Sequence, residues 1–512
     1  MEIVRPEFSA YIAELRQTLA SILPQLATGK ARDDVSNASH ILGLIGAELD
    51  FLRSHEAQLE ELFADLLTAI SDDASPHLSS LKETIRTFSG RQWNSSFDRL
   101  AATRVLLQDA IPALDDAAES GVEAARLALQ RLLEAETAQF EAVNSQRRTS
   151  SAALAATSPT EPAATAERVH SKTALRDYLR RSFSDEAELE VERVVNVPGG
   201  RSKETTLIEL SGCRTLPSRI VMRADLPGGL VPSKAIDEYR VIEIAARHGV
   251  PVPMPLLGEP DPEPLGRSFI LVSMVPGSTR GEYFADEEST VGDRQAVGAQ
   301  LAGILARIHT IPLVELSGTH LDLEADLVKL ASQTIEATYA EARSFNFPAR
   351  MHLEVAYRWL RSRVHLAADE PCLIHCDVGL HNMLIEGDTI TAMLDWELAT
   401  ISSPARELAK ILHLIDYLMP REQFFAAYLQ AGGASSAVDP QRLEFYAVMN
   451  YMVTHQRARL ANRLFFSGQR RDLVMAHAGY DSYYRGVSLL TDALKSAGCL
   501  GAGPLSAEGR TQ

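Results

Sequence analysis

Residues 372–397 read CLIHCDVGLHNMLIEGDTITAMLDWE, and the reading of the whole chain turns on this stretch. An apolar run ends at His375. Asp377 follows two residues later and Asn382 five residues after that. A second apolar run, Ile390 to Leu394 with Thr391 inside it, ends at Asp395. Gly387 and Asp388 lie between the runs and predict a hairpin turn. The pattern is strand, loop, strand, turn, with polar side chains gathered where strands end. Asn382 and Asp395 offer the oxygen ligands that Mg²⁺ takes. Asp377 is placed to orient a hydroxyl and accept its proton. These are the requirements of phosphoryl transfer from a nucleotide.

Protein kinases use the same parts: a loop Asp, an Asn five residues on, and a metal-binding Asp after a further strand. The flanking residues differ from theirs. Trp396 and Glu397, not Phe-Gly, follow the second Asp, and no Ala-Pro-Glu segment comes after it. HCDVGLHN followed by LDWE resembles the aminoglycoside phosphotransferase-like branch of the kinase superfamily, whose pattern is His-Gly-Asp, four residues, Asn, then Ile/Leu-Asp-Trp-Glu. Cys376 replaces the usual Gly. Two other readings compete. An isolated Asp–Asn pair also fits a solvated turn, and the second motif in register argues against that. Cys372, His375, Cys376 and His381 are zinc-ligand types, but they are interleaved with strand residues and not grouped on turns.

Composition sets outer bounds. The chain has 512 residues, 46% apolar and 23% charged, as in soluble globular proteins. The net charge of −18 argues against a nucleic-acid partner. Four cysteines form no disulfide framework, which leads us to expect a reducing, cytoplasmic setting. No apolar run reaches the ~20 residues of a membrane span, and MEIVRPEFSA does not read as a signal peptide.

Residues 1–143 predict an all-helical bundle with no catalytic constellation. Ile45, Leu49, Leu52, Leu59, Leu62, Leu66 and Ile70 share one helix face. Ser75, Pro76 and Gly90 bound a shorter helix, and a long segment from Phe97 to Val143 is expected to kink or break at Pro112. Long apolar faces suit a homodimer surface, a cap or a spacer. Residues 144–167, rich in Ser, Thr, Ala and Pro, read as a linker, so the bundle is expected to fold independently of the two lobes C-terminal to it.

A small β-rich lobe is expected over 168–275 and a helical lobe over 276–500, with a tail at 501–512. Gly199 and Gly200, with Ser202 next, sit between two strand patterns, and exposed N–H groups in such a turn can cover phosphates. The resemblance implies a similar Gly-Gly-x-Ser hairpin here. It also places Arg223, on SRIVMRAD, where kinases carry the Lys that holds nucleotide phosphates, with Glu238 as its ion-pair partner and Lys203 as the next candidate. It assigns the nucleobase to main-chain groups near Ser273, Met274 and Val275, and puts Glu407 where the family has an Asp that braces the catalytic loop. His375 is read as a hydrogen-bonding brace and not a base, and His309 as a packing residue.

The fold expected is therefore α+β: a two-lobed protein-kinase-like fold preceded by a helical bundle. The implied activity is Mg²⁺-dependent transfer of the γ-phosphoryl group of ATP or GTP to a hydroxyl of a small molecule. Acceptors to consider are an aminoglycoside or macrolide, a choline-like or sugar alcohol, and a hydroxyacyl-CoA. The alternatives are a catalytically weak nucleotide-binding module and a protein kinase.

Overall fold

The computed structural model describes residues 171–197, 203–225, 233–279, 291–343, 351–466 and 473–498, together with parts of 15–145, chiefly 76–89 and 96–120. The Gly199–Gly200–Ser202 turn, nearly all of the 144–167 linker, much of the Ile45–Ile70 face and the 501–512 tail lie outside the described residues.

The small lobe is built on a five-stranded antiparallel sheet of order β1-β2-β3-β5-β4. Its strands are β1 (Glu190–Val197), β2 (Lys203–Ser211), β3 (Arg219–Asp225), β4 (Pro255–Glu259) and β5 (Phe269–Ser273). Alternation along the strands sets which side chain faces what. In β5, Phe269 and Leu271 join one apolar cluster, while Ile270 and Val272 join another. Both faces of the sheet are thus covered, which explains why FILV reads as an unbroken apolar run. In β3, Ile220, Met222 and Ala224 go to the first cluster and Val221 to the second. Arg223 therefore shares the face of Val221.

A helix at Lys172–Ser182 covers the first face through Leu175, Tyr178 and Leu179. The Ser171 hydroxyl caps it by accepting from the Ala174 N–H at 3.3 Å. A helix at Ala235–Arg247 covers the other face through Val241, Ile242, Ile244 and Ala245. In the turn between the first of these helices and β1, Glu186 is fully buried and accepts from the backbone N–H groups of Arg214, Thr215 and Leu216 at 2.8, 2.6 and 2.8 Å. Burial opposes ionisation there, but the Thr215 hydroxyl and these N–H groups outweigh it and hold Glu186 down at about 2.

The larger lobe is helical. It contains Val291–His309, Leu327–Arg343, Met351–Ser362, Pro404–Lys410, Leu412–Leu418, Arg421–Gln430, Pro440–Phe466 and Leu473–Ser496. Two short antiparallel pairs interrupt the helices: β6 (Cys372–Ile374) with β9 (Thr400–Ser402), and β7 (Met383–Glu386) with β8 (Thr389–Met393). The turn between β7 and β8 is the expected one, with Gly387 at φ +61°. This is the two-lobed kinase-like architecture the sequence implies. No described helix is long and apolar enough to cross a membrane.

Two points about the N-terminal helices differ from expectation. The helix Ser96–Glu119 runs on through Pro112, so no break falls at the proline, and described helical positions resume at Glu123. Residues 76–134 also do not stand apart. Leu78, Ile85, Leu106, Ile111, Leu114, Leu129, Leu132 and Leu133 belong to the same apolar cluster as Val355, Ala356, Trp359 and Leu360 of the large lobe. Arg358 pairs with Asp115 at 2.9 Å and Asp116 at 2.5 Å, and Arg343 with Asp109 at 2.8 Å. The expectation of independence rested on the polar linker, and composition says nothing of what docks beyond it.

Candidate active site

The loop that carries Asp377 leaves β6 through Cys376, whose φ of +63° is left-handed. A non-glycine residue there costs roughly 1–2 kcal/mol, which gives a physical reason for Gly at this position in the family pattern. The strain is held by Glu407, a buried carboxylate on the Pro404–Lys410 helix. Its Oε1 accepts from the Cys376 N–H at 2.6 Å and its Oε2 from the His375 N–H at 3.1 Å. His309 Nε2 lies 3.0 Å from Oε2, and His309 Nδ1 lies 2.8 Å from the Tyr428 hydroxyl. Burial favours protonation of Glu407, yet the His309 contact and the loop N–H groups hold it below its ordinary value. Glu407 thus makes the bracing contacts, and His309 does more than pack, since it orients that carboxylate. Cys376→Gly is expected to be more stable than Cys376→Ala by about 1 kcal/mol, because only glycine relieves the left-handed backbone. Paired chemical-denaturation curves check this.

His375 Nε2 donates to the Leu394 carbonyl at 2.9 Å, and its Nδ1 accepts from the Asp377 N–H at 3.2 Å. Both ring nitrogens are committed, so His375 is a brace and is unavailable to a proton or a metal. The same contacts leave His375 no ring nitrogen to serve as the ligand that the zinc reading assigns to it. The Cys372 thiol packs in a small apolar cluster and lies 3.5 Å from the Ser402 carbonyl, and burial pushes it well above its usual value. Among the described residues no group of three or more His, Cys, Asp or Glu side chains is arranged to hold a metal.

Asp377 sits at the loop apex. Its Oδ2 accepts from Asn382 Nδ2 at 2.9 Å, and its Oδ1 lies 3.0 Å from Lys410 Nζ. Asn382 Nδ2 also donates to the Asp377 carbonyl at 2.9 Å. Burial would raise the Asp377 carboxyl, but His381 and Lys410 outweigh it and hold the group well below the usual carboxylate range. With the Asn382 amide N–H₂ given to Asp377, its Oδ1 is the atom left for a cation. Pairing of β7 with β8 brings Asp395 alongside, because the Leu394 N–H donates to the Asn382 carbonyl at 2.8 Å. Asp395 is itself left-handed at φ +63°. Uncommon backbone at a polar apex is a common feature of functional sites. An amide oxygen and a carboxylate are the hard donors that Mg²⁺ takes.

Arg223 joins this group across the cleft. Its Nη1 lies 3.1 Å from Glu238 Oε1, and its Nη2 lies 2.9 Å from Asp395 Oδ1. Glu238 is buried in the first turn of its helix, and its Oε1 also accepts from the Trp396 N–H at 3.2 Å. Burial acts to lower the Arg223 guanidinium, but Glu238 and Asp395 raise it above its already high value. Lys203 makes a second buried cation. Its Nζ lies 2.5 Å from the Ser233 carbonyl, 3.2 Å from Asp225 Oδ1 and 3.9 Å from Glu397 Oε2. Lys203 is thus occupied in tying β2 to the loop before the Glu238 helix.

At the hinge, the Ser273 N–H donates to the Met254 carbonyl at 2.9 Å and the Met274 N–H to the Arg219 carbonyl at 3.2 Å. Both N–H groups belong to the small lobe's own hydrogen bonding, which narrows the expected nucleobase contacts at Ser273, Met274 and Val275 to the carbonyls and the Val275 N–H. Beyond it, Gly277 at φ +111° lets the hinge lie against β7, where Ser278 and Ile385 exchange N–H···O bonds at 3.1 Å. A Cβ on Gly277 would meet Thr391 Oγ1 at 2.9 Å and the Ile385 backbone at 3.1 Å. Gly277→Ala is expected to cost about 2 kcal/mol, read as a lowered melting temperature.

The residue that motif reading missed is Lys410. A signal was available, because Glu407 and Lys410 are spaced i, i+3 and share a helix face, so a helix that turns Glu407 to the loop turns Lys410 there too.

The family model described as "Phosphotransferase enzyme family" matches residues 193–446. Acyl-CoA dehydrogenase family member 10 of Mus musculus is 30% identical over 219 residues, which cover 41% of this chain and 19% of that protein. Acyl-CoA dehydrogenase family member 11 of Homo sapiens is 29% identical over 208 residues, 39% of this chain and 26% of that protein. The chain thus spans about a quarter or less of the length of these relatives. A solved structure from Ralstonia eutropha JMP134, provisionally assigned as an aminoglycoside phosphotransferase, overlaps with a TM-score of 0.50 at 18% identity, covering 64% of this chain and 99% of that one.

Proposed function

Residues 193–446 of this chain belong to the aminoglycoside phosphotransferase-like family, and from that premise we propose that it moves the γ-phosphoryl group of ATP or GTP to a hydroxyl of a small molecule. The observation that carries this reading is convergence. Asp377, Asn382 and Asp395 meet at the ends of one hairpin, and Arg223 reaches Asp395 from the opposite lobe at 2.9 Å.

Asp377 binds and orients the acceptor hydroxyl. The acceptor oxygen forms the new bond to phosphorus as the bond to the β,γ-bridging oxygen breaks, and that electron pair leaves on the nucleoside diphosphate. The hydroxyl proton passes to Asp377. Because Asp377 is held so firmly ionised, it is a weak base, and its main contribution is orientation, with the proton collected as the new bond forms. Mg²⁺ held by Asn382 Oδ1 and Asp395 would neutralise phosphate oxygens when bound. Arg223, kept charged and aimed by Glu238, is the residue proposed to hold nucleotide phosphates, and the Gly199–Gly200–Ser202 turn is proposed to cover them. Carbonyls of Ser273 and Met274 and the Val275 N–H are proposed to meet the base.

The contacts of Glu407 and Arg223 support an active enzyme over a weak nucleotide-binding module. Glu407 reaches both loop N–H groups despite its extra methylene, and Arg223 pairs with Glu238 as a phosphate-holding cation should. Screening hydroxyl acceptors, including hydroxyacyl thioesters, for nucleotide consumption tests the reading. No acceptor-stimulated turnover with either nucleotide would refute it. Asp395→Asn is expected to lower activity and weaken its dependence on Mg²⁺ together, since a charged oxygen ligand is removed. Mg²⁺ titrations of turnover check this, and activity that persists after chelation of divalent ions would exclude the assignment.

A further inference from the structure

We infer that Lys410 is a catalytic residue that supplies positive charge at the point where acceptor and transferring phosphoryl group meet. The inference rests on the phosphotransferase reading of the site and adds a group that the loop motif does not contain.

Lys410 is the last residue of the Pro404–Lys410 helix, and its Nζ donates to the Cys376 carbonyl and to Asp377 Oδ1, the latter at 3.0 Å. A lysine ammonium has three N–H donors. Two are placed by these contacts, and no further partner for the third occurs among the described residues. The side chain is 22% exposed, so that donor can reach a bound ligand. A hydroxyl hydrogen-bonded to Asp377 Oδ1 stands within about 6 Å of Nζ, being one hydrogen bond of about 2.8 Å beyond the oxygen that Lys410 contacts at 3.0 Å.

The rest of the loop offers little positive charge there. His375 has both ring nitrogens engaged, and His381 Nε2 lies 3.9 Å from Asp377 Oδ2 and is charged only when protonated. Arg223 lies on the other side of Asp395, and Lys203 is tied to Asp225 and Ser233. The equatorial oxygens of the transferring group carry negative charge through the reaction. A fixed ammonium beside Asp377 therefore stabilises them from the acceptor side. Glu407, on the same short helix, fixes that helix to the loop backbone, so Lys410 is preorganised as such stabilisation requires. The bonds made and broken are those already given, and Lys410 keeps its protons throughout.

The test uses the full chain, Mg-ATP and Mg-GTP, with water as the acceptor. Hydrolysis is measured for wild type, Lys410→Met and Lys410→Arg, alongside the affinity for methylanthraniloyl-labelled nucleotide and the melting temperature. Lys410→Met is expected to lower the hydrolysis kcat by about 10²-fold, the scale for loss of a preorganised charge-stabilising donor. Nucleotide affinity and melting temperature should hold, and Lys410→Arg should recover at least a tenth of wild-type kcat. Lys410→Met with wild-type kcat overturns the inference alone. Equal losses in Lys410→Met and Lys410→Arg also overturn it, because a purely shape-dependent role predicts no rescue by charge. A wild-type chain that binds nucleotide yet turns it over neither with water nor with any of the screened hydroxyl acceptors overturns the phosphotransferase reading itself.

Discussion

Asp377→Ala is expected to lower acceptor turnover by about 10²–10⁴-fold, the range for removal of a general acid–base group, with nucleotide affinity nearly unchanged. The split arises from where Asp377 sits. Its carboxylate contacts are Asn382, Lys410 and His381, and none of these is a proposed contact to the nucleobase. Arg223 keeps its anchor on Glu238 at 3.1 Å whatever stands at 377. The loss should therefore fall on kcat and not on nucleotide KM. Asp377→Asn should be nearly as slow: with its Oδ1 kept on Lys410 its Nδ2 would face Asn382 Nδ2, donor against donor, so the side chain that orients the hydroxyl is displaced, and it cannot take a proton. Steady-state kinetics with the nucleotide varied at saturating acceptor separate these effects. Unaltered turnover in Asp377→Ala would remove Asp377 from the reaction.

The parts legible in the sequence are those whose partners lie close along the chain or on a regular register. The 377–382–395 spacing encodes one loop and one hairpin, and a hairpin carries its own register through the turn at Gly387. The pairing of Arg223 with Glu238 was legible only through the kinase template, because strand and helix are joined by a segment of no fixed length rule. Glu407 was legible as a brace, although its longer side chain left the contact open until it was seen to reach both loop N–H groups. Other features were less legible. Lys410 meets Asp377 from a helix 33 residues further on, and its one signal is the helix face it shares with Glu407. The commitment of the Ser273 and Met274 N–H groups comes from β4 and β3 lying on either side of the hinge strand. The docking of the N-terminal helices depends on complementary apolar faces, and amphipathicity reports that a face is covered without saying by what.

That docking carries the second large prediction. A chain that begins at Ala166 is expected to aggregate, or to melt well below the full chain, although every proposed nucleotide and metal ligand lies after that point. Removing the N-terminal helices uncovers the side of the Met351–Ser362 helix on which they pack. That helix buries residues on more than one side: Leu353, Val355, Ala356, Trp359 and Leu360 are all buried in the full chain. Each large apolar side chain left exposed forfeits roughly 1.5–3 kcal/mol, against a total stability of about 5–15 kcal/mol for a typical domain. Arg358 and Arg343 would lose Asp115, Asp116 and Asp109 as well. Restoring solubility should therefore require polar replacements on that face, not a different start site within the linker. Light scattering and thermal melting on the two chains decide the matter. A shortened chain that stays monodisperse, melts like the full one and binds Mg-nucleotide would mean that the shared core contributes nothing to stability. A shortened chain that remains folded but drops from dimer to monomer would instead assign the N-terminal helices to self-association.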